Sequence, residues 1–192
     1  MNREAHRLTY RVELPGGEGR LREMILYVSQ KAAEMPRYGK TKLNKILWDA
    51  DFSAFAARGV PVTGRPYQKL QAGPAPVEMP TLLAEMKDAG LIELELADFG
   101  GGFVEQRVIA KVNAALRFFS ADDLSFMDRS IERLWGMSAR QASEFSHGVA
   151  WKTREDLDPL PYESALLSDE ELSGEALARI KERAYEQGWK SS

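Results

Sequence analysis

The segment from Lys42 to Arg58 constrains this chain more than any other, because it is apolar on two sides at once. Leu43, Ile46, Leu47, Ala50 and Ala54 make one stripe at helical spacing, while Trp48, Phe52 and Phe55 make a second at i, i+4 and i+7. A helix with two apolar stripes buries most of its circumference. It belongs in the middle of a fold, with other elements packed on both sides. Thr41 is placed to cap this central helix, and Gly59 and Pro61 end it.

The flanking segments supply those other elements. Residues 8–14 read as a short edge strand closed by Pro15-Gly16-Gly17. Leu21, Met24, Ile25, Val28 and Ala32 recur on one helix face, and Pro36 stops that helix. Residues 60–78 read as irregular or weakly extended, broken by Gly64, Pro66, Gly73, Pro74 and Pro76. A helix then runs from Pro80 through Leu82, Leu83 and Met86 to Gly90. Ile92, Leu94 and Leu96 alternate with Glu93 and Glu95, and the alternation resumes at Val104, Val108, Ala110 and Val112. Two such runs around Gly100-Gly101-Gly102 predict a β-hairpin.

The last third reads as helical. Ser120 with Asp123 caps a helix carrying Leu124, Met127, Ile131 and Leu134. Ser138 with Gln141 and Ser168 with Glu171 both fit the capping box. Residues 152–168, with Pro159 and Pro161, read as an exposed connection to a final helix through Leu172, Leu177 and Ile180. The expected fold is α+β: one mostly helical domain with a small antiparallel sheet or β-hairpin. The helix at 80–89 and the hairpin follow one another in a winged-helix-like order. The expected division is an N-terminal strand or arm at 1–19, the domain at 20–167 and a C-terminal helix or tail at 168–192.

A chain of 192 residues buries a core without disulfides or metals. The absence of cysteine removes thiol nucleophiles and thiolate metal sites altogether. The stretch from Met1 to Arg11 is interrupted by Arg3, Glu4 and Arg7, and no run approaches the roughly 18 apolar residues of a membrane span. No membrane association is expected, and the expected location is cytoplasmic. A net charge of −3 with a pI near 5.6 speaks against nucleic acid as a partner. The charge is uneven, with ten Lys/Arg against five Asp/Glu in residues 1–45. That asymmetry reads either as solvated helix faces or as a basic patch of Arg37, Lys40, Lys42 and Lys45 that meets an acidic partner.

Gly39-Lys40-Thr41 has the ending of a phosphate-binding loop, but Glu34 stands where that loop needs glycine and a helix precedes it instead of a strand. Gly100-Gly101-Gly102 is explained as a turn. Only His6 and His147 are available as imidazoles. His147 falls at a predicted helix C-terminus, where the macrodipole favours its protonated form and a capping role competes with that of a general base. No G-x-S-x-G elbow or H-E-x-x-H helix is present. The expectation is therefore a protein that is not an enzyme and holds no cofactor or metal. A winged-helix-like DNA-binding regulator is the alternative, although the helix at 80–89 would offer Thr81, Glu85, Lys87 and Asp88 to the groove, a poor match to phosphates.

Four stretches, in order, resemble the Panacea domain of SocA-like antitoxins. Lys42-Leu-Asn-Lys-Ile-Leu-Trp-Asp-Ala-Asp51 resembles that family's K-L-x-K-L-L-Y-F-A-D helix. Thr63-Gly64 and Tyr67-Gln-Lys-Leu-Gln-Ala-Gly73-Pro74-Ala75-Pro76 resemble its T-G and Y-x-x-L-x-Y-G-P-V-P. Phe119-Ser120-Ala-Asp-Asp-Leu-Ser-Phe-Met-Asp128 is similar to L-S-x-E-E-L-x-x-L-D, and Met137-Ser138 through Ser146-His147 with Trp151 to L-S-x-x-x-L-S-H and its downstream tryptophan. Gln71-Ala72 and Phe145 depart from the pattern. The resemblance spans about residues 20–167. It implies an antitoxin that neutralises a cognate toxin, usually encoded next door on a prophage or mobile element, by direct protein–protein binding. It also implies that some members deliver the toxin to a protease as adaptors. Tyr67, Gly73, Pro74, Pro76, His147 and Trp151 are the rigid aromatic and turn residues expected at such a contact.

Overall fold

A computed structural model describes residues 8–98 and 104–167. The glycine turn at 100–102, His6, and the expected capping box and helix after Leu167 lie outside the described residues. Six helices run in the order α1 (Gly19–Lys31), α2 (Lys40–Arg58), α3 (Met79–Asp88), α4 (Ala121–Leu134), α5 (Ala139–Phe145) and α6 (Val149–Lys152). Strands β1 (Tyr67–Gln68) and β2 (Ala75–Pro76) fall between α2 and α3, β3 (Ile92–Asp98) and β4 (Val104–Ala110) between α3 and α4, and β5 (Pro159–Leu160) near the end. The fold is α+β, as expected. Among the described residues no helix is long and apolar enough to cross a membrane.

The two stripes of α2 face two separate cores. Leu43, Ile46, Leu47, Ala50 and Ala54 are buried in a large aliphatic core with residues of α1, α3, α4, α5 and the base of the hairpin. Phe52 is buried in a small aromatic core with Tyr67, Leu160 and Tyr162, and Trp48 and Phe55 pack on its edge. Within it the Phe52 ring stands edge-on to Tyr67 at 5.3 Å, and Phe55 stacks on Tyr162 at 5.3 Å. Such ring geometries add roughly 0.5–1.5 kcal/mol each beyond area burial.

Three sequence expectations are corrected by the structure. Residues 8–14 form no strand; Thr9 and Val12 instead exchange single backbone hydrogen bonds with Tyr162 and Gly64. Thr41 does not cap α2, because the cap position is Gly39 and the Thr41 N–H donates to the Glu105 carboxylate at 2.6 Å. A side chain from β4 thus supplies the acceptor that a local cap would have given. Residues 60–78 are weakly extended, as expected, and the extension is organised: β1 pairs antiparallel with both β2 and β5. Residues 152–168 are not simply exposed, for Leu160 and Tyr162 are buried under α2. Two-residue strands carry too little alternation to be read from sequence.

The hairpin and two of the capping boxes follow the expectation. The hairpin pairs Ile92 with Ala110 and Asp98 with Val104, so Ile92 and Val108 bury at its base while Leu96 and Val104 are exposed further out. Ser120–Asp123 and Ser138–Gln141 both form reciprocal capping boxes.

Candidate partner-binding site

Asp51 ties the aromatic core together. Its carboxylate accepts from the Thr63 N–H at 2.6 Å, from the Thr63 hydroxyl and from the Tyr67 hydroxyl at 2.8 Å. Burial pushes this carboxyl up to about 6, while the hydrogen bonds from Thr63 and Tyr67 hold it back. The Tyr162 hydroxyl donates to the Arg65 carbonyl at 2.6 Å. Gly64 follows with φ +72°, and a Cβ there would run into the Val12 backbone, so only glycine suits the turn. The aspartate, threonine, glycine and tyrosine of the recognised motifs thus form one buried hydrogen-bond network. Tyr67 is a core residue of this network and presents no side chain to a partner.

The turn at 73–76 is likewise built inward. Gly73, Pro74, Ala75 and Pro76 are all buried. Gly73 has φ +99°, and a Cβ on it would meet Ser146 Oγ and Lys45 Nζ. Lys45 donates to the Pro74 carbonyl at 2.9 Å, and burial lowers its ammonium to about 7. Lys42 is also fully buried, donating to the Pro36 carbonyl at 2.8 Å and to the Trp135 carbonyl at 3.2 Å, at the end of α4. Burial, and then the Arg37 charge, lower Lys42 to about 8. The proposed basic patch is therefore corrected: Arg37 is exposed and Lys40 half-buried, but Lys42 and Lys45 are interior cations that hold carbonyls. Sequence alone did not show this, because both lysines sit one residue off the core stripe and their stems pack while their heads find acceptors.

His147 and Trp151 stack face to face, with ring centroids 3.7 Å apart and planes 8° from parallel. Trp151 donates its indole N–H to the Leu70 carbonyl at 2.9 Å, and Lys69 Nζ lies 4.4 Å from its ring centroid. His147 follows the end of α5, yet burial first and the Lys45 cation second lower its pKa. Burial and the neighbouring cation thus oppose the macrodipole, which favours the imidazolium. His147 and Trp151 are half-buried and close to the surface.

Next to this stack lies a groove of about 410 Å³. Its walls include Trp48 of α2, Pro74 of the turn, Phe145 of α5, Val149 and Trp151 of α6, and Leu160 of β5. Leu167, where the described chain ends, also lines it. Among the described residues no charged side chain lines the groove. Phe145 and Val149 are each more than a third exposed, and Leu167 is 57 % exposed. The Phe145 ring stands edge-on to Trp48 at 6.1 Å, which holds it against the groove and out of the core. Of the expected contact residues, the structure brings Pro74, His147 and Trp151 to this groove or its rim and places Tyr67 beneath it. Phe145, Val149 and Leu167 were not singled out as contact residues. Their only sequence signal is an apolar side chain on a short helix or connection with no stripe to join.

The model of the family described as antitoxin SocA-like, Panacea domain matches residues 43–152, more than half of the chain. The match runs from α2 to α6 and so contains both faces of the central helix and most of the groove. Searches of curated proteins and of solved structures gave no match. The chain belongs to the SocA-like antitoxin family, through its Panacea domain.

Proposed function

We propose that this protein is an antitoxin that neutralises a cognate toxin by direct binding, with the apolar groove beside the His147–Trp151 stack as its contact surface. The groove carries the reading. It is apolar, open, rimmed by stacked aromatics, and framed by a rigid hydrogen-bonded turn, the combination found at the centres of protein contacts. A partner segment inserting two or three large apolar side chains fits it. The burial of Lys42 and Lys45 takes away two of the four cations on which a DNA-binding reading relied.

The test is growth of cells expressing the neighbouring reading frame with and without this protein. Growth arrest relieved by co-expression, with both proteins co-purifying, supports the reading. A toxin that stays abundant while growth recovers indicates blocking. A toxin that disappears in a protease-dependent way indicates delivery to proteolysis. Arrest that this protein fails to relieve contradicts neutralisation.

A further inference from the structure

The sheet of the hairpin holds only β3 and β4 among the described residues, so β3 pairs on one side alone. Lys111 donates its backbone N–H to the Leu91 carbonyl at 2.9 Å, and the register repeats that pairing at Glu93–Ile109 and Glu95–Arg107. The N–H and C=O groups of Leu94 and Leu96 therefore point away from β4. Their side chains share the face that buries Ile92 and Val108 at the hairpin base, yet Leu96 is 71 % exposed and Val104, on the same face, 59 %. Sheet edges are commonly blunted by lysine, proline or a bulge. From Ile92 to Asp98 β3 has none of these, and its register with β4 is unbroken.

Charge decides what this edge can accept. β3 carries three carboxylates and no cation. Glu93 pairs with Lys111, just past β4, at 2.6 Å. Arg107 stands opposite Glu95, but its guanidinium turns away to donate to the Ala33 carbonyl just past α1, and Glu95 has no ion pair among the described residues. A second copy could add its own β3 only by setting glutamate opposite glutamate, whichever antiparallel register joined the outward-facing leucines. Like charges directly opposite one another destabilise a strand pair. We propose that the outer edge of β3 accepts an extended segment of a partner protein as an added antiparallel strand, with its apolar residues beside Leu94 and Leu96 and its Lys or Arg residues beside Glu93 and Glu95. Among the described residues neither β3 nor β4 lines the apolar groove, so this surface does not depend on the groove being the toxin contact.

The test uses the full-length protein and a fluorescent seven-residue peptide alternating Val and Lys, followed by anisotropy. It should bind at least roughly ten-fold more tightly than a Val/Glu peptide of the same length, with the gap closing as salt is raised. Leu96→Pro should weaken it by at least about ten-fold, because an outward N–H is lost while the ladder to β4 keeps its bonds. The circular dichroism of that variant should match the wild type's. Methylating every backbone nitrogen of the Val/Lys peptide should abolish binding to the wild type, a control that needs no variant. In NMR spectra the peptide should shift the amides of residues 93–96 most. Equal binding of the two peptides, or binding that survives methylation, overturns the proposal. Shifts concentrated on the groove also overturn it, as does a concentration-dependent dimer abolished by Leu96→Pro, which would give the edge to a second copy. No toxin enters these measurements, so their failure is distinguishable from failure of the groove reading.

Discussion

The two sides of α2 are built by opposite means. The aliphatic side is held by close-packed Leu, Ile, Met and Val side chains from four helices and the hairpin, with Ala142 from α5. The aromatic side is held by a few large rings and by hydrogen bonds converging on Asp51, and it opens into the groove. Apolar packing is tolerant in detail but needs volume, whereas a buried polar network needs every partner in place. The first side therefore sets whether the domain folds. The second sets where the turn at 73–76, and with it one groove wall, is positioned.

Breaking the comparison on the aliphatic side should have the largest effect. Leu47 is fully buried, and Leu47→Ala should cost about 2–5 kcal/mol, seen as a lower denaturation midpoint with an unchanged slope. On the aromatic side the decisive variable is pH. The Asp51 carboxyl stands near 6 in the folded chain against 3.8 ordinarily, because burial disfavours its charge. Below about pH 4 it is protonated whether the chain is folded or not. Between about 4 and 6 only the folded chain keeps the proton, so its contribution to stability falls as pH rises through that window. The loss is on the order of 3 kcal/mol, so the stability of the wild type relative to Asp51→Asn should fall by about that amount from pH 4 to pH 6.

Lys45 has the opposite sign. Its folded ammonium is lowered to about 7 by burial, so the folded chain pays the cost of a buried charge below pH 7 and is relieved of it as pH rises from about 7 to about 10.5. Lys45→Met should be the more stable protein at pH 6, by on the order of 1–2 kcal/mol, with the gain shrinking towards pH 10. A loss of about 1–3 kcal/mol is expected for Tyr162→Phe, which leaves the buried Arg65 carbonyl without its donor. Chemical denaturation of both variants at several pH values checks these two.

The same contrast explains what the sequence disclosed. The aliphatic side was legible because its stripes repeat over several turns of α1, α2 and α4, and the capping boxes at Ser120 and Ser138 fix helix starts by local chemistry. The hairpin was legible from alternation at Ile92, Leu94 and Leu96. On the aromatic side only the α2 stripe of Trp48, Phe52 and Phe55 was legible, because the other parts come from distant places: Asp51, Thr63, Tyr67, Leu160 and Tyr162 meet through strands of two residues each. The resemblance marked several of these residues without saying that they bond to one another. Lys42 and Lys45 were misjudged as surface cations for a similar reason, since their carbonyl acceptors at Pro36, Trp135 and Pro74 are invisible to spacing.

The central claim is that the aromatic side of α2 ends in a surface that binds the toxin, and Val149→Asp tests it most directly. Val149 lines the groove and is partly exposed, so the substitution should change unfolding stability by no more than about 0.5 kcal/mol. Placing an unpaired carboxylate in an apolar contact should nevertheless weaken toxin binding at least ten-fold and abolish rescue of growth. Rescue and co-purification at wild-type levels by a stably folded Val149→Asp protein would contradict the assignment and move the interface elsewhere on the domain.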